Sequence, residues 1–398
     1  MRRIVIVLLV TGLMAEFPLV GQDLDPPAPT RQSPAQVDQG RQGTLSEQLD
    51  HWIAELGAAT FQRREAAVVA LVEVGSPALP RLQLARESGD REVRSRAIAI
   101  YLRILQQDYQ NRISMFEAGN TEAAAISSWG RFATQFGDTK ANRVLFALML
   151  RSSPELMLFL EGDRERLAKA IGGWINKANR SGTVFGSPTF SVGSMAALSF
   201  CSLQAPENLS NVNTKIFATI RYNAKIRTEA TTGQHAGTLK EMLACLVAQE
   251  DRELVAALRC CMLFDLKQVG LEKASKILAG EILRPGGNSK SVLVEALLVG
   301  GQFGGEPEKK VLERFLGAPD RYAVFSLNKK TFTTTVGDVA LAVLWTMHGI
   351  DPTEKGFADG VQSQLAGINA HLAGFASEEE RQNARQAWIA FRGNEEGK

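Results

Sequence analysis

Apolar and polar residues alternate along most of this chain with a helical period. From Leu45 the apolar positions Leu49, Trp52, Ile53 and Leu56 fall on one face, and Gly57 ends the run. Phe61–Val74 follows with Ala66, Ala67, Ala70, Leu71 and Val74 as a stripe. Gly75 suits the left-handed position after a helix, Ser76 and Pro77 suit the start of the next, and Leu79, Leu82 and Leu84 form its apolar face. Asp90 is placed to cap a helix over 91–106. Beyond it the periodicity predicts helices near 121–136, 140–150, 154–160, 163–179, 194–203, 212–228, 237–248, 251–268, 271–283, 289–301 and 306–316. The β-branched and aromatic stretch Tyr322–Val336, centred on Asn328-Lys329-Lys330, predicts one short hairpin. Ser377-x-x-Glu380 is a capping box opening a last helix with Ala384, Ala387, Trp388 and Phe391 on its buried face, and 393–398 reads as a disordered tail.

One stretch repeats. Thr60, Arg64, Ala67, Leu71 and Val74 recur thirty residues on as Asp90, Arg94, Ala97, Tyr101 and Ile104. Each set is a polar cap, a base, a small contact residue and an apolar stripe, which is how stacked helical hairpins appear in sequence. The segment RREAAVVALVEVGSPALPRLQLARESGDREVRSRAIAIYLRIL resembles HEAT repeats over residues 60–105. Val336–Phe357 and Ser377–Arg392 look similar to segments of exported HEAT-repeat-like proteins abundant in planctomycete bacteria. The resemblance implies an α-solenoid that works by presenting surface, and it brings no catalytic residues with it. The expected fold is therefore all-α: HEAT-like repeats over 45–180, a Gly/Ser-rich loop over 181–193, and an irregular helical continuation over 194–392 closed by a capping helix.

The N-terminus adds an address. Met1-Arg2-Arg3 precedes the apolar run Ile4–Ala15, which Glu16 ends. That run is shorter than the about 20 residues a spanning helix needs and fits a secretory signal peptide, residues 1–22. Cleavage near Ala15 or an uncleaved anchor are the alternatives. No cysteine lies near this segment, which excludes lipid modification of one there. Residues 23–44 are rich in Pro and Gln with few large apolar residues, the composition of a disordered linker. The chain holds 45 basic and 43 acidic residues, a balance that gives no footprint for nucleic acid or an anionic membrane.

Candidate chemistry is sparse. The four cysteines, Cys201, Cys245, Cys260 and Cys261, sit among apolar residues and read as core; a bridge from Cys245 to Cys260 or Cys261 is the alternative. Arg284–Ser291 lacks the glycines of a phosphate loop, and Gly300–Gly305 reads as a flexible inter-helix connection. His51, His235, His348 and His371 have no metal-ligand spacing. Ser194 follows Gly193, but Ala196 stands where a nucleophile elbow needs its second glycine. Glu155, Glu161, Asp163 and Glu165 read as a solvated face, and Trp129, Trp174, Trp345 and Trp388 as core.

No catalytic, cofactor-binding or metal residue is assigned. The expected function is a non-catalytic exported scaffold or partner-binding module of the periplasm or envelope, its partner a protein or peptide. Arg81, Arg86, Arg91, Arg94 and Arg96 suggest an acidic partner segment. The alternatives are an enzyme whose site assembles near Cys245, Cys260 and Cys261, and a self-associating envelope component. The first predicts an enclosed pocket with convergent polar groups, including a histidine or carboxylate. N-terminal sequencing of the exported protein should begin at Asp23; a chain that still begins at Met1 would mean an anchor.

Overall fold

The computed structural model describes residues 45–160, 164–180, 191–205, 210–282, 289–363 and 367–396. The expected signal peptide and linker, residues 181–190 of the Gly/Ser-rich loop, and 284–288 of the phosphate-loop-like stretch lie outside them. The chain divides into two compact units. Taking described residues only, one holds 45–74 and 80–98, the other 75–79 and 99–396.

The smaller unit contains α1 (Leu45–Glu55), α2 (Phe61–Val74) and parts of α3 (Leu79–Ala85) and α4 (Arg91–Glu117). Here the sequence echo is also a structural one. Arg64 Nη1 donates to the Ala58 carbonyl at 2.7 Å, and thirty residues later Arg94 Nη1 donates to the Ser88 carbonyl at 2.7 Å. Each arginine thus satisfies the turn that leads into its own helix. Asp90 Oδ1 accepts from the backbone N–H of Glu92 and of Val93, capping α4 as expected. Ala67, Leu71, Ala97, Tyr101 and Ile104 are buried, while Val74 is half-buried. Two details differ from the sequence reading. Leu84 is 66 % exposed and Ala85 takes its place inside. Gly75, at φ 72°, precedes a 3-10 turn over Ser76–Ala78, so Ser76 is not the cap of α3.

The larger unit is helical almost throughout. In order it carries α5 (Thr121–Ala124), α6 (Trp129–Phe136), α7 (Lys140–Ser152), α8 (Pro154–Phe159), α9 (Arg164–Arg180), α10 (Val192–Gln204), α11 (Ser210–Tyr222) and α12 (Ala224–Thr232). Then come α13 (Ala236–Gln249), α14 (Leu254–Phe264), α15 (Lys267–Leu278), α16 (Ser289–Phe303) and α17 (Glu306–Glu313). A hairpin of β1 (Arg321–Leu327) and β2 (Lys330–Thr335) leads into α18 (Val336–Met347). A second short pair, β3 (Gln362–Ser363) and β4 (Gly367–Ile368), precedes α19 (Glu378–Glu396). The protein is mostly helical with little strand. Among the described residues no helix is long and apolar enough to cross a membrane.

Three predicted helices are divided or shifted, each for a local reason. The 121–136 stretch breaks at Ala125, whose φ is 49°, and Arg112 donates to the freed carbonyls of Ala124 and Ala125. The 212–228 stretch breaks at Asn223, which is extended and caps α12 through Ile226 N. The 251–268 stretch ends at Asp265 in the left-handed region, and the next helix starts four residues earlier than expected. The hairpin forms where expected. Its turn residues Asn328 and Lys329 both have positive φ, as a two-residue turn matching strand twist requires, and Phe325 stacks on Phe332 at 4.8 Å.

The core begins with interlocked rings: Trp129 lies 4.9 Å from Phe116, and Phe132 lies 5.1 Å from both Phe146 and Phe200. Helix α10 is buried from Gly193 to Ser202 and packs on α7 and α13. A Cβ at Gly193 would fall 2.5 Å from the Leu148 carbonyl, so only glycine permits that approach. The same holds where α16 meets α18, since a Cβ at Gly301 would fall 2.3 Å from Val343 Cγ1. Gly300 and Gly301 are therefore helical packing residues, and only Gly304-Gly305 form the connection.

Two buried carboxylates tie helices together. Glu250 accepts from Asn213 Nδ2 on α11 at 3.0 Å and from the N–H groups of Arg252 and Glu253 at the start of α14. Lys273 on α15 donates to the carbonyls of Ala248 and Glu250 and to Asp251. Asp338 closes the C-terminal end. Its carboxylate accepts from Thr335 N, at 2.8 Å, and from Arg381 Nε, at 2.9 and 3.1 Å, while Arg381 Nη2 donates to the Thr333 carbonyl. Thus α19 is held on α18 and the hairpin. Ser377 Oγ caps Glu380 N, but the Glu380 carboxylate returns to Ala376 N, one residue earlier than a capping box would have it. Ala384 and Trp388 are buried as expected; Ala387 is exposed and Phe391 half-buried, and residues 393–396 continue the helix expected to end before them.

Removing the Asp338 carboxylate takes the buried partner from Arg381, leaving it Glu378 and the Thr333 carbonyl, and removes the acceptor of Thr335 N at the start of α18. Asp338→Ala should lower unfolding stability by about 2–3 kcal/mol, the loss of hydrogen bonds to a buried charge, measured by guanidinium titration. A loss under about 1 kcal/mol would show that the pair does not hold α19.

Candidate functional site

The polar groups converge in a groove of about 640 Å³ in the larger unit. Local breaks in the helices put them there. Helix α11 stops at Asn223, which leaves Arg221 and Tyr222 on its last turn, facing the groove. Helix α14 starts just after Glu253 and contributes Val255, Arg259, Cys260 and Leu263. Helix α16 contributes Ser291, Glu295 and Leu298, strand β1 contributes Tyr322, and the end of β4 and the turn after it contribute Ile368, Asn369 and His371. Phe217, Val255, Leu263, Leu298 and Ile368 make the walls largely apolar.

Glu295 is the key group. It is 2 % exposed and lies in the apolar run SVLVEALLV, with Val292, Val294, Ala296 and Leu297 buried around it. Burial raises its carboxyl above the ordinary range, against the opposing pull of Arg259, Arg221 and His371. Arg259 Nε at 2.7 Å and Nη2 at 2.5 Å both reach the same oxygen, Oε1. Among the described residues no donor reaches Oε2, and that oxygen is not among the sealed, unsatisfied buried atoms. Burial pulls the Arg259 guanidinium down, but the bond and charge of Glu295 outweigh it and leave it raised.

On the facing wall Tyr322 OH lies 3.3 Å from His371 Nε2, and the rings stand 4.9 Å apart. Burial raises the Tyr322 phenol, and the charge of Glu295 adds to the effect. The His371 backbone is fixed from two sides, its N–H donating to Asn369 Oδ1 and its carbonyl accepting from Thr334 Oγ1. Arg221 is exposed, and its guanidinium lies 5.4 Å from the Tyr222 ring.

The residues singled out in the sequence fall elsewhere, apart from two. Cys260 is part of the groove wall and His371 is at its rim. All four cysteines are free, so neither bridge to Cys245 forms. Burial pushes the Cys201 and Cys260 thiols well above their ordinary value and Cys261 up to about 12, which leaves them protonated and unreactive. Cys245 is half-buried, its sulfur 3.9 Å from Gln135 Nε2. His51 is exposed on α1, His235 is buried at the start of α13, and His348 packs on Trp388 and Phe391. Among the described residues no cluster of histidine, cysteine and carboxylate side chains could hold a metal ion. Ser194 is buried among Ser191 and Ser152. Trp129, Trp345 and Trp388 are core residues and Trp174 is half-buried. Glu155 is exposed; Glu161 and Asp163 lie outside the described residues. Of the five N-terminal arginines, Arg81 pairs with Asp50, Arg94 binds the Ser88 carbonyl, and Arg96 binds Glu65 and Glu92.

Arg221, Arg259, Glu295 and Tyr322 were not picked out by motif. The available signal was Glu295 itself, a lone carboxylate inside an otherwise apolar helix, which requires a partner and marks a site. No protein-family model, curated protein or solved structure matches the chain.

The thiol arrangement is countable. Ellman's reagent should find one reactive thiol per native chain, Cys245, and all four in denaturant without reductant. Fewer than four in denaturant would reveal a disulfide.

Proposed function

We propose that this chain is an exported, non-catalytic binding module of the HEAT-repeat, α-solenoid kind, and that the groove of its larger unit is the recognition site. The solenoid reading is supported by the paired Arg64 and Arg94 turns and by the packing order. Closely packed helix pairs, such as α7 with α10, α10 with α13, α14 with α16 and α16 with α18, lie within three helices of one another in the chain. The exported reading rests on the N-terminal sequence alone. The observation that carries the binding reading is the groove. Its volume lies in the range of ligand sites, about 300–1,000 Å³, and its apolar walls carry a few fixed polar groups. A cleft built on helix ends and held by Glu250 and Lys273 binds with little ordering penalty.

A catalytic reading is favoured by one observation, the contact between Tyr322 and His371 opposite Glu295. It differs from the binding reading in what happens to the ligand: mass spectrometry after prolonged incubation finds it unchanged in one case and altered in the other.

The groove is tested with a small apolar anion, anilinonaphthalene sulfonate. It should show saturable fluorescence at one site per chain, and Ala256→Trp, which fills the groove, should abolish that signal with the circular dichroism unchanged. Equal dye binding by wild type and variant would refute the groove as the recognition site.

A further inference from the structure

The hairpin that leads into α18 is sealed along one edge and open along the other. On β2, Thr333 turns its backbone outward: its N–H donates to the Phe375 carbonyl at 3.0 Å, and its carbonyl accepts from Phe375 N at 3.2 Å. Thr333 faces Val324 across the hairpin. Facing residues in an antiparallel pair either bond each other or both turn away, so Val324 also points its N–H and carbonyl outward, along the free edge of β1. Ser326, two residues on, repeats the geometry. Among the described residues no backbone group meets either of them, and both residues are exposed, Val324 by 50 %. A row of unpaired N–H groups and carbonyls is a template for another strand.

The charge around this edge selects what can fill it. The hairpin carries three cations, Arg321, Lys329 and Lys330, against one acid beside it, Asp320, and all four are exposed. Lys290 at the start of α16 adds a further cation, its Nζ 3.4 Å from the Arg321 carbonyl. Among the described residues none of these cations meets a carboxylate. A second copy of the chain would set this cationic rim against itself, which is how edge lysines discourage self-pairing. A strand of opposite sign gains where a copy loses. The side chains add a pattern: Phe325, stacked on Phe332 at 4.8 Å, lies on one face of the hairpin, and Val324, Ser326, Thr331 and Thr333 lie on the other. We propose that the open edge of β1 binds an extended acidic segment of another protein as an added strand. Its backbone pairs with Val324 and Ser326, and its carboxylates pair with Lys290, Arg321, Lys329 and Lys330. An apolar residue of that strand lies opposite Phe325 and extends the Phe325–Phe332 stack, with acidic residues alternating around it. The proposal does not rest on the groove.

The test is fluorescence anisotropy of a labelled, end-capped heptapeptide of alternating glutamate and valine, titrated with the full chain. It should bind one per chain and at least about tenfold more tightly than its lysine–valine counterpart, since several cross-strand charge pairs change sign together. The glutamate peptide N-methylated at every residue keeps its charge but has no N–H to donate, and it should not bind. Val324→Pro removes one outward N–H at a place where an edge strand tolerates proline, and should abolish binding with the circular dichroism unchanged. Lys290→Glu combined with Lys330→Glu should turn the preference toward the lysine peptide. Failure of the glutamate peptide to bind overturns the proposal, as does equal binding of the two charges or full binding of the N-methylated form. Wild-type affinity in a folded Val324→Pro variant overturns it too; if that variant does not fold, the N-methylated peptide decides alone. Sedimentation across concentrations should find a monomer. A dimer that Val324→Pro dissolves would give the edge to a second copy and overturn the acidic occupant.

Discussion

A carboxylate inside a helical core is tolerated only where donors replace the water it has lost. The larger unit is organised around that constraint. Glu250, Asp338 and Glu295 are each nearly inaccessible, and each sits where elements must be fixed against one another. Glu250 gathers α11, α14 and, through its own carbonyl and Lys273, α15. Asp338 caps α18 and holds Arg381, which in turn binds the hairpin, so the last helix is secured by a charge as well as by Trp345 packed on Trp388 at 4.8 Å. Glu295 binds α14 to α16 through Arg259.

The groove follows from this framework. Helices α11, α14 and α16 are positioned by the Glu250 and Glu295 contacts, and the breaks at Asn223 and before Leu254 turn polar helix ends toward a shared space. The hairpin and the turn at Asn369 then bring Tyr322 and His371 to its edge. These residues span positions 221–371 of the chain, so no short motif could announce them. What distinguishes Glu295 from the two structural carboxylates is that it lines the groove. Glu250 and Asp338 take protein donors on both oxygens, whereas Arg259 meets Glu295 on one oxygen beside the groove.

The helical character was legible from periodicity, and so was the hairpin, because β-branched residues flank a turn whose residues accept positive φ. The thirty-residue echo was legible because the same arginine serves the same turn twice. Helix ends were not. Ala125 turns left-handed where Arg112 takes up the carbonyls of Ala124 and Ala125, and Asp265 does so as the C-cap of α14, where its N–H and that of Leu266 return to the Cys261 carbonyl. The glycines at 300 and 301 look like a loop in sequence, yet Gly301 is placed by the closeness of Val343. The site was hidden for a related reason. Its charges are isolated in sequence, and only the meeting of α14 with α16 and β1 makes Arg259, Glu295 and Tyr322 neighbours in one groove.

If Glu295 and Arg259 are retained for recognition and not for stability, an apolar pair of similar size should hold α14 and α16 together equally well. The direct measurement is guanidinium unfolding of the double variant Arg259→Met, Glu295→Leu beside wild type, with dye binding followed in parallel. The account predicts an unfolding midpoint at or above that of wild type together with loss of groove binding. A double variant that loses about 3 kcal/mol or more, as a broken structural pair does, would contradict it.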